Sequence, residues 1–409
     1  MLISDARNQI MEPEGFINLN PGSCSPVQKQ VFEELVHHLS LQSKDPTDFI
    51  WSASTTYIEK GRTALGTFLR CDPKDLILCI NASQGINTIV QTYSWQKGDE
   101  IITTDQEYHH YQMLFSTLVD RHGVKIIKVT LPLMGAKNSS YQEYADSILK
   151  LFREKKSGST RAVFFSHITS PVGQRLPAKE LCHWARREGV LSIVDGAHGP
   201  GHIKVAIDDI APDFYIANLH KWVMNPAGCA FVYAAPSVRY KFKPLIIMAG
   251  YGALADGKDR LNAIGAPIWT YAHEYLGTTN LTPITVLWKT IEEYTKIGAE
   301  QIEWAWKENR ALLVGQLQSL GFEIISPANP DSGSCMVASK LPVPGSRIDT
   351  IKARHVFRCQ HKLELAFPTL EDGSSLMRVS AAWFAKPEQF DHLISVLKHF
   401  DWRPLSKAK

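Results

Sequence analysis

The chain has 409 residues, 44% of them hydrophobic and 21% charged, with a formal net charge of +3. It is too long for one ordinary core and long enough for two, too apolar for a disordered chain, and too weakly charged to carry the electrostatic footprint of a nucleic-acid binder. No apolar run approaches the roughly 20 residues needed to span a bilayer, so no membrane partner is expected.

The N-terminal stretch carries Asp5, Glu12 and Glu14 and no apolar segment. It does not read as a signal peptide, and the cytoplasm is the expected compartment. Phe16–Pro26 contains the turn Asn20-Pro21-Gly22-Ser23, whose free backbone amides mark it as part of a site. Short apolar runs then alternate with helical patterns. The expected strands are Leu76–Ile80, Glu100–Thr104, Val124–Thr130, Arg161–Ser166, Leu191–Val194, Asp213–Ala217 and Cys229–Ala234. The expected helices include Gly85–Tyr93, Tyr108–Arg121 and Ala178–Glu188. This alternation predicts an α/β fold with a mostly parallel seven-stranded sheet and helices on both faces. Ala249–Leu276, with Trp269, Tyr271, His273 and Tyr275, reads as a long irregular functional loop.

After Gly277 a long helical stretch, Leu281–Leu320, precedes strand-like Phe322–Ile325, Cys335–Ala338, Phe357–Leu365 and Met377–Ser380 and a last helix near Pro387–Phe400. These predict a smaller C-terminal α+β domain. The expected division is an N-terminal segment 1–26 that contributes to the site, a large domain 27–280 and a small domain 281–409. The seven cysteines are irregularly spaced with no C-x-x-C pair, which argues against a disulfide framework or a zinc ribbon. Cys79 and Cys229 fall in apolar runs and read as buried, inert thiols.

Two strand ends carry the chemistry. An apolar run leads into Asp195 and a Gly-rich turn, and a second leads into Asn218-Leu219-His220-Lys221-Trp222. In an open α/β sheet both ends face one crevice. A carboxylate and a lysine so placed suit pyridoxal 5′-phosphate (PLP). The lysine can form a Schiff base, and the acid can hold the pyridine nitrogen protonated so that the ring acts as an electron sink. Burial would lower the lysine's pKa, as imine chemistry requires. Asn81-Ala-Ser-Gln-Gly-Ile-Asn87 opens a helix directly after a strand, and a helix N-terminus suits a phosphate, although an ordinary N-cap at Ser83 is the plainer reading. His198 and His202 are four apart, but Gly199-Pro200-Gly201 breaks any helix that would align them, so no metal is expected.

The stretches VDGAH ending at His198, NLHKW ending at Trp222 and PAGCAFVY ending at Tyr233 resemble the class V aminotransferase-type PLP enzymes of fold type I. They are most similar to the isopenicillin N epimerase-like branch, which also holds carbon–sulfur lyases. The resemblance runs from Phe16–Ser23 to Met377–Ser380. It implies a fold type I PLP-dependent transferase-like fold, with Lys221 as the Schiff-base residue, Asp195 at the pyridine nitrogen and His198 at the phenolic oxygen. It places Ser83, Gln84 and His220 at the phosphate. Gly277 and Thr278 match an element that relatives contribute from the neighbouring subunit, so a homodimer with shared sites is implied. His109 best matches the ring stacked on the cofactor, with Tyr108 second, and Lys221, Asp195 and His109 form the expected catalytic set. Arg378 matches the clamp for a substrate α-carboxylate, flanked by Asn20 and Gly22, whereas Arg62 is a weaker candidate that a helix salt bridge would also explain.

The chain departs from that branch in two places. Relatives often carry Asn-His-Gly in place of Asn20-Pro21-Gly22, and Tyr-Asn in place of Trp383-Phe384. A different substrate pocket is expected. Cys359 is the one candidate for a desulfurase's persulfide cysteine, and it lies in a strand-like run. The leading expectation is carbon–sulfur β-elimination on a small amino acid or cysteine conjugate through an external aldimine. The alternatives are an epimerase, an aminotransferase, a cysteine desulfurase and a non-catalytic PLP-binding protein.

Overall fold

The structure is a computed structural model that describes residues 1–135, 140–248, 251–254 and 268–406. The strands, in chain order, are β1 (Ile17–Asn18), β2 (Leu76–Cys79), β3 (Glu100–Thr104), β4 (Lys125–Val129), β5 (Thr160–Ser166), β6 (Leu191–Asp195), β7 (Phe214–Asn218), β8 (Ala230–Ala234), β9 (Met336–Lys340), β10 (Leu363–Glu364) and β11 (Leu376–Ser380). Strands β2 to β8 form one sheet in the order β2-β8-β7-β6-β5-β3-β4. Only β8 runs antiparallel to its neighbours, so the sheet is mostly parallel, as expected. Strands β2, β6, β7 and β8 are buried along their whole length, the pattern of a sheet covered on both faces.

Two large cores, with a small third cluster of Val172, Ile325, Ala338 and Leu376, divide the described residues. The larger packs the sheet against its helices and includes Ile86, Phe164, Ile193, Phe214 and Phe231. The smaller gathers Leu313, Val337, Phe357, Leu363, Val379 and Phe390. The helix Ala299–Ser319 joins them, since Ile302 and Trp306 lie in the first core and Leu313 and Leu317 in the second. The cores therefore part within this helix rather than between residues 280 and 281. The N-terminal strip is built into the smaller core: Leu19 lies there, β1 pairs with β10, and Ser380 N donates to Leu19 O at 2.8 Å.

Local readings differ from the structure in several places, among them the strand-like Phe322–Ile325, which holds only an isolated bridge at Ile324. The helix expected over Tyr108–Arg121 starts at Tyr111. The strand-like Phe357–Leu365 is the end of the helix Thr350–His361, closed by left-handed Lys362, with only Leu363–Glu364 extended. A short alternating stretch does not distinguish an amphipathic helix from a strand. The long stretch Leu281–Leu320 is broken at Gly298 (φ 94°), which separates Leu287–Ile297 from Ala299–Ser319. Within the expected loop Ala249–Leu276, Ile268–Glu274 is helical, whereas 249–250 and 255–267 lie outside the described residues. Among the described residues no helix is long and apolar enough to cross a membrane.

Candidate active site

A cavity of about 360 Å³ opens at the carboxyl ends of β5, β6 and β7 and takes in Lys221, Asp195, His198, His220, Ser83 and Arg378. The wall that carries Asp195 and Lys221 follows from where two strands stop. Asp195 is the last residue of β6 and pairs in register with Ser166, the last residue of β5. Lys221 stands three residues beyond the end of β7. Its backbone is held by the N-terminal strip, where Ser25 N donates to His220 O at 3.0 Å.

Asp195 is buried, and burial raises its pKa. The Ala197 amide, which donates to Oδ1 at 2.9 Å, and the nearby Lys221 charge act the other way. Tyr111 also donates its hydroxyl to this carboxylate. Burial pushes Lys221 down to about 8; Asp195 opposes the shift and the charge of Arg378 adds to it. About a tenth of the amine is thus neutral at pH 7, against far less for an ordinary lysine. Lys221 Nζ lies 3.4 Å from His198 Nε2. Asp195, His198 and Lys221 therefore meet at one place.

The far end of the cavity is the start of the helix Ala82–Thr92. Its N-cap is Asn81, not Ser83: Asn81 Oδ1 accepts from Gln84 N at 2.8 Å. Asn218, at the end of β7, accepts from Ala82 N at 2.9 Å. Ser83 is left facing the cavity at a helix N-terminus, where partial positive charge favours an anion. The Gln84 side chain turns back to accept from Ile80 N at 3.0 Å, so it does not line the cavity. His220 does, and its Nδ1 is buried with no hydrogen-bond partner.

Arg378, in the middle of β11, is 4% exposed. It reaches the cavity through donations to Ser170 O and Oγ and, at 3.1 Å, to Asn20 Oδ1. Its Nε has no partner. Burial pushes it down to about 10. A Cβ at Gly22 would lie 3.4 Å from its guanidinium and 3.3 Å from the Trp222 ring, which accounts for glycine there. Asn20 and Gly22 thus flank Arg378 in the structure. Arg62, in contrast, is tied to Glu59, Glu274 and Leu76 O, away from the cavity.

The turn before Tyr111 faces the cavity differently from expectation. His109 is exposed, its ring lies against His110 at 3.9 Å, and it does not line the cavity; Tyr108 does. The helix starts at Tyr111, so residues 108–110 form a turn whose facing a sequence pattern does not specify. Gly277 and Thr278 also lie outside the cavity, Thr278 being exposed. Cys359 sits exposed on its helix. Several lining residues went unread in the sequence: Ser166, Ser170, Tyr111 and Asn218. Ser166 and Asn218 could have been found by the strand-end rule that found Asp195. Behind them, half-buried Glu107 accepts from Thr104 Oγ1 at 2.6 Å and from both the amide and hydroxyl of Ser166; desolvation pushes it up to about 7. Among the described residues no cluster of His, Cys, Asp and Glu could hold a metal.

Comparison with known proteins gives a family and a fold. The family model described as aminotransferase class-V matches residues 19–342. Isopenicillin N epimerase of Streptomyces clavuligerus is 27% identical over 96% of this chain and 97% of its own length. Hercynylcysteine sulfoxide lyase of Schizosaccharomyces pombe is 24% identical over 96% of this chain and 95% of its own length. A solved structure of a C-DES mutant with glycine covalently linked to the PLP cofactor shares the fold with a TM-score of 0.81, at 19% identity, over 97% of this chain and 99% of that one.

Proposed function

This chain belongs to the aminotransferase class-V family, and from that premise we propose that it is a pyridoxal 5′-phosphate enzyme that cleaves the carbon–sulfur bond of a small amino acid or cysteine conjugate by β-elimination. The observation that carries the reading is the meeting, in one cavity, of a lysine held near neutrality, a buried carboxylate and a buried guanidinium without a carboxylate partner. Two orphaned atoms suit the cofactor and a substrate: His220 Nδ1 beside the helix N-terminus for a phosphate, and Arg378 Nε for a carboxylate.

Lys221 would hold the cofactor covalently, Asp195 would pair with its ring nitrogen, and His198 would face its phenolic oxygen. Ser83, the amides at the start of the helix Ala82–Thr92 and His220 would hold its phosphate, and Tyr108 would cover its face. The bound cofactor supplies an aldehyde that receives the substrate amine and a ring that takes up the electron pair left at Cα. Arg378, steadied by Asn20 and Ser170, orients the substrate carboxylate. The Lys221 amine takes the Cα proton, and the resulting ammonium returns a proton to the departing sulfur. A lysine depressed to about 8 is suited to both steps, because neither protonation state is scarce near neutral pH.

The lyase among the relatives supports elimination, as does a solved structure of the cystine C–S lyase C-DES with its product cysteine persulfide, which has the same fold at a TM-score of 0.79. Epimerisation is the second reading, favoured by the 27% identity to an epimerase. Both begin with loss of the Cα proton. Purified enzyme offered amino acids and cysteine conjugates separates them: pyruvate, ammonia and thiol are expected, whereas inversion without net consumption would select the epimerase. Lys221→Ala is expected to lose the visible absorbance band and borohydride-reducible cofactor; retention of that linkage would refute the lysine's role.

The working unit in this reading is a cytoplasmic homodimer. Leu245, Ile246, Ile247 and Met248 are each more than 40% exposed, and Met248 Cε lies 3.8 Å from a Cβ built on Gly277. In this reading the apolar run is part of the pairing face, and Gly277 and Thr278 serve the partner's phosphate. The seven free thiols suit a reducing compartment. Mixing a Lys221→Ala chain with a chain disrupted at Thr278 should restore activity; a dilute, fully active monomer would refute the dimer.

A further inference from the structure

The residue after the lysine has a task of its own. The Trp222 indole is buried, and its Nε1 lies 3.2 Å from His198 Nδ1. An indole nitrogen only donates. His198 Nδ1 must therefore accept, and a neutral imidazole that accepts at Nδ1 carries its proton on Nε2. That second nitrogen is the one 3.4 Å from Lys221 Nζ. An imidazolium here would set two N–H groups against each other at the indole. The groups around His198 favour the neutral ring as well: burial lowers its pKa first, then the charges of Lys221 and Arg378, then His202 and His220.

The indole is itself held in place. The His202 ring lies against it at 4.3 Å. Both nitrogens of His202 are engaged, Nδ1 with His198 O at 3.2 Å and Nε2 with the amide of Cys335 at 2.8 Å. An amide only donates, so His202 carries its proton on Nδ1, the opposite tautomer to His198. Trp306 Nε1 adds a bond to His202 O at 3.1 Å. Gly201, at φ 80°, lets the two segments touch: a Cβ there would lie 2.5 Å from the backbone of Trp222 and Val223.

We propose that Trp222 is a positioning residue that locks His198 as an Nε2–H donor facing the Lys221 amine, with His202 holding the indole at the correct angle. His198 can then donate to an oxygen beside Lys221 but cannot take the lysine's proton. The identification of that oxygen with the cofactor's phenolic oxygen rests on the function proposed above; the tautomer itself does not.

The test reads the two histidines directly. The full-length chain is prepared with isotope-labelled histidine, and the imidazole nitrogen signals are recorded by NMR without and with added pyridoxal phosphate. His198 and His202 are assigned through His198→Gln and His202→Gln. In the wild-type chain, His198 is expected as a single Nε2–H tautomer and His202 as a single Nδ1–H tautomer. In Trp222→Phe, the Nε2–H to Nδ1–H ratio of His198 should fall about tenfold, the loss expected for one buried hydrogen bond, while His202 keeps its pattern and so reports an intact fold. If the phenylalanine variant does not fold, benzothienylalanine at position 222 keeps the ring shape and removes only the N–H, and the same fall is expected. A wild-type His198 protonated on Nδ1, or an unchanged ratio once the indole N–H is gone, overturns the proposal. Failure of pyridoxal phosphate to bind would overturn the proposed function and leave the tautomer measurement standing.

Discussion

Two arginines buried almost equally in this molecule have opposite surroundings. Arg62 is 1% exposed and donates to Glu59, to Glu274 and to the carbonyl of Leu76. Burial lowers its pKa, but the charges of Glu274 and Glu59 outweigh burial and raise it. Arg378 is 4% exposed, has only neutral oxygens as partners, keeps a bare Nε and is pushed down. A buried charge needs compensation. Arg62 has it from the chain, where it ties the helix Ser54–Leu69 to β2 and to the helix Ile268–Glu274. Arg378 is completed only by an anion that arrives. Burial alone therefore does not separate a structural cation from a binding one; the charge of its partners does.

The largest effect that could break this contrast is on folding. Arg62→Ala leaves Glu274 and Glu59 without their cation, and such losses cost about 3–5 kcal/mol; chemical denaturation should show it, with affinity for carboxylate substrates unchanged in the protein that remains folded. Arg378→Ala should do the reverse. Stability should hold or rise, while KM for carboxylate substrates increases about 10- to 100-fold, the worth of charge-assisted hydrogen bonds. If Arg378→Ala unfolds the protein instead, its guanidinium belongs with Arg62. Arg378→Lys sharpens the point at smaller cost: charge is kept and the planar fork lost, so KM should fall between wild type and alanine.

A further effect concerns the neighbouring cation, Lys221. Its pKa is about 8 in the folded chain against an ordinary 10.5. Between these values the unfolded chain binds more protons, so cofactor-free protein should gain stability as pH rises through that window. Lys221→Met should remove that gain. Parallel stability–pH curves for the two proteins would show that Lys221 is not held near neutrality.

Much of the site was legible because strands end where their apolar runs end. That rule alone placed Asp195 and Lys221 on one crevice, and Ser83 at the start of a helix. It could not choose between Tyr108 and His109, because the turn before Tyr111 sets their facing. It could not see that Gln84 would satisfy Ile80 N rather than point outward. Contacts between residues far apart in the chain were also hidden from that rule, such as Glu274 with Arg62, and Asn20 with Arg378 came from the resemblance alone. Such pairs leave no periodic trace. In the C-terminal region, alternation misread Phe357–Leu365, where an amphipathic helix and a strand bury similar residues over a few positions.

The reversed strand β8 has a consequence for what can be gripped. It lies between β2, which leads to the helix start at Ser83, and β7, which leads to Lys221. The two anchors are thus held at a fixed spacing by the strands that carry them. The sheet works here as a ruler. A ligand fastened at both ends must match that length, and one that lacks the terminal anion would be moored at Lys221 alone and free to swing. Size selection for the cofactor is then written into hydrogen-bonded backbone, which no side-chain substitution can easily rescale.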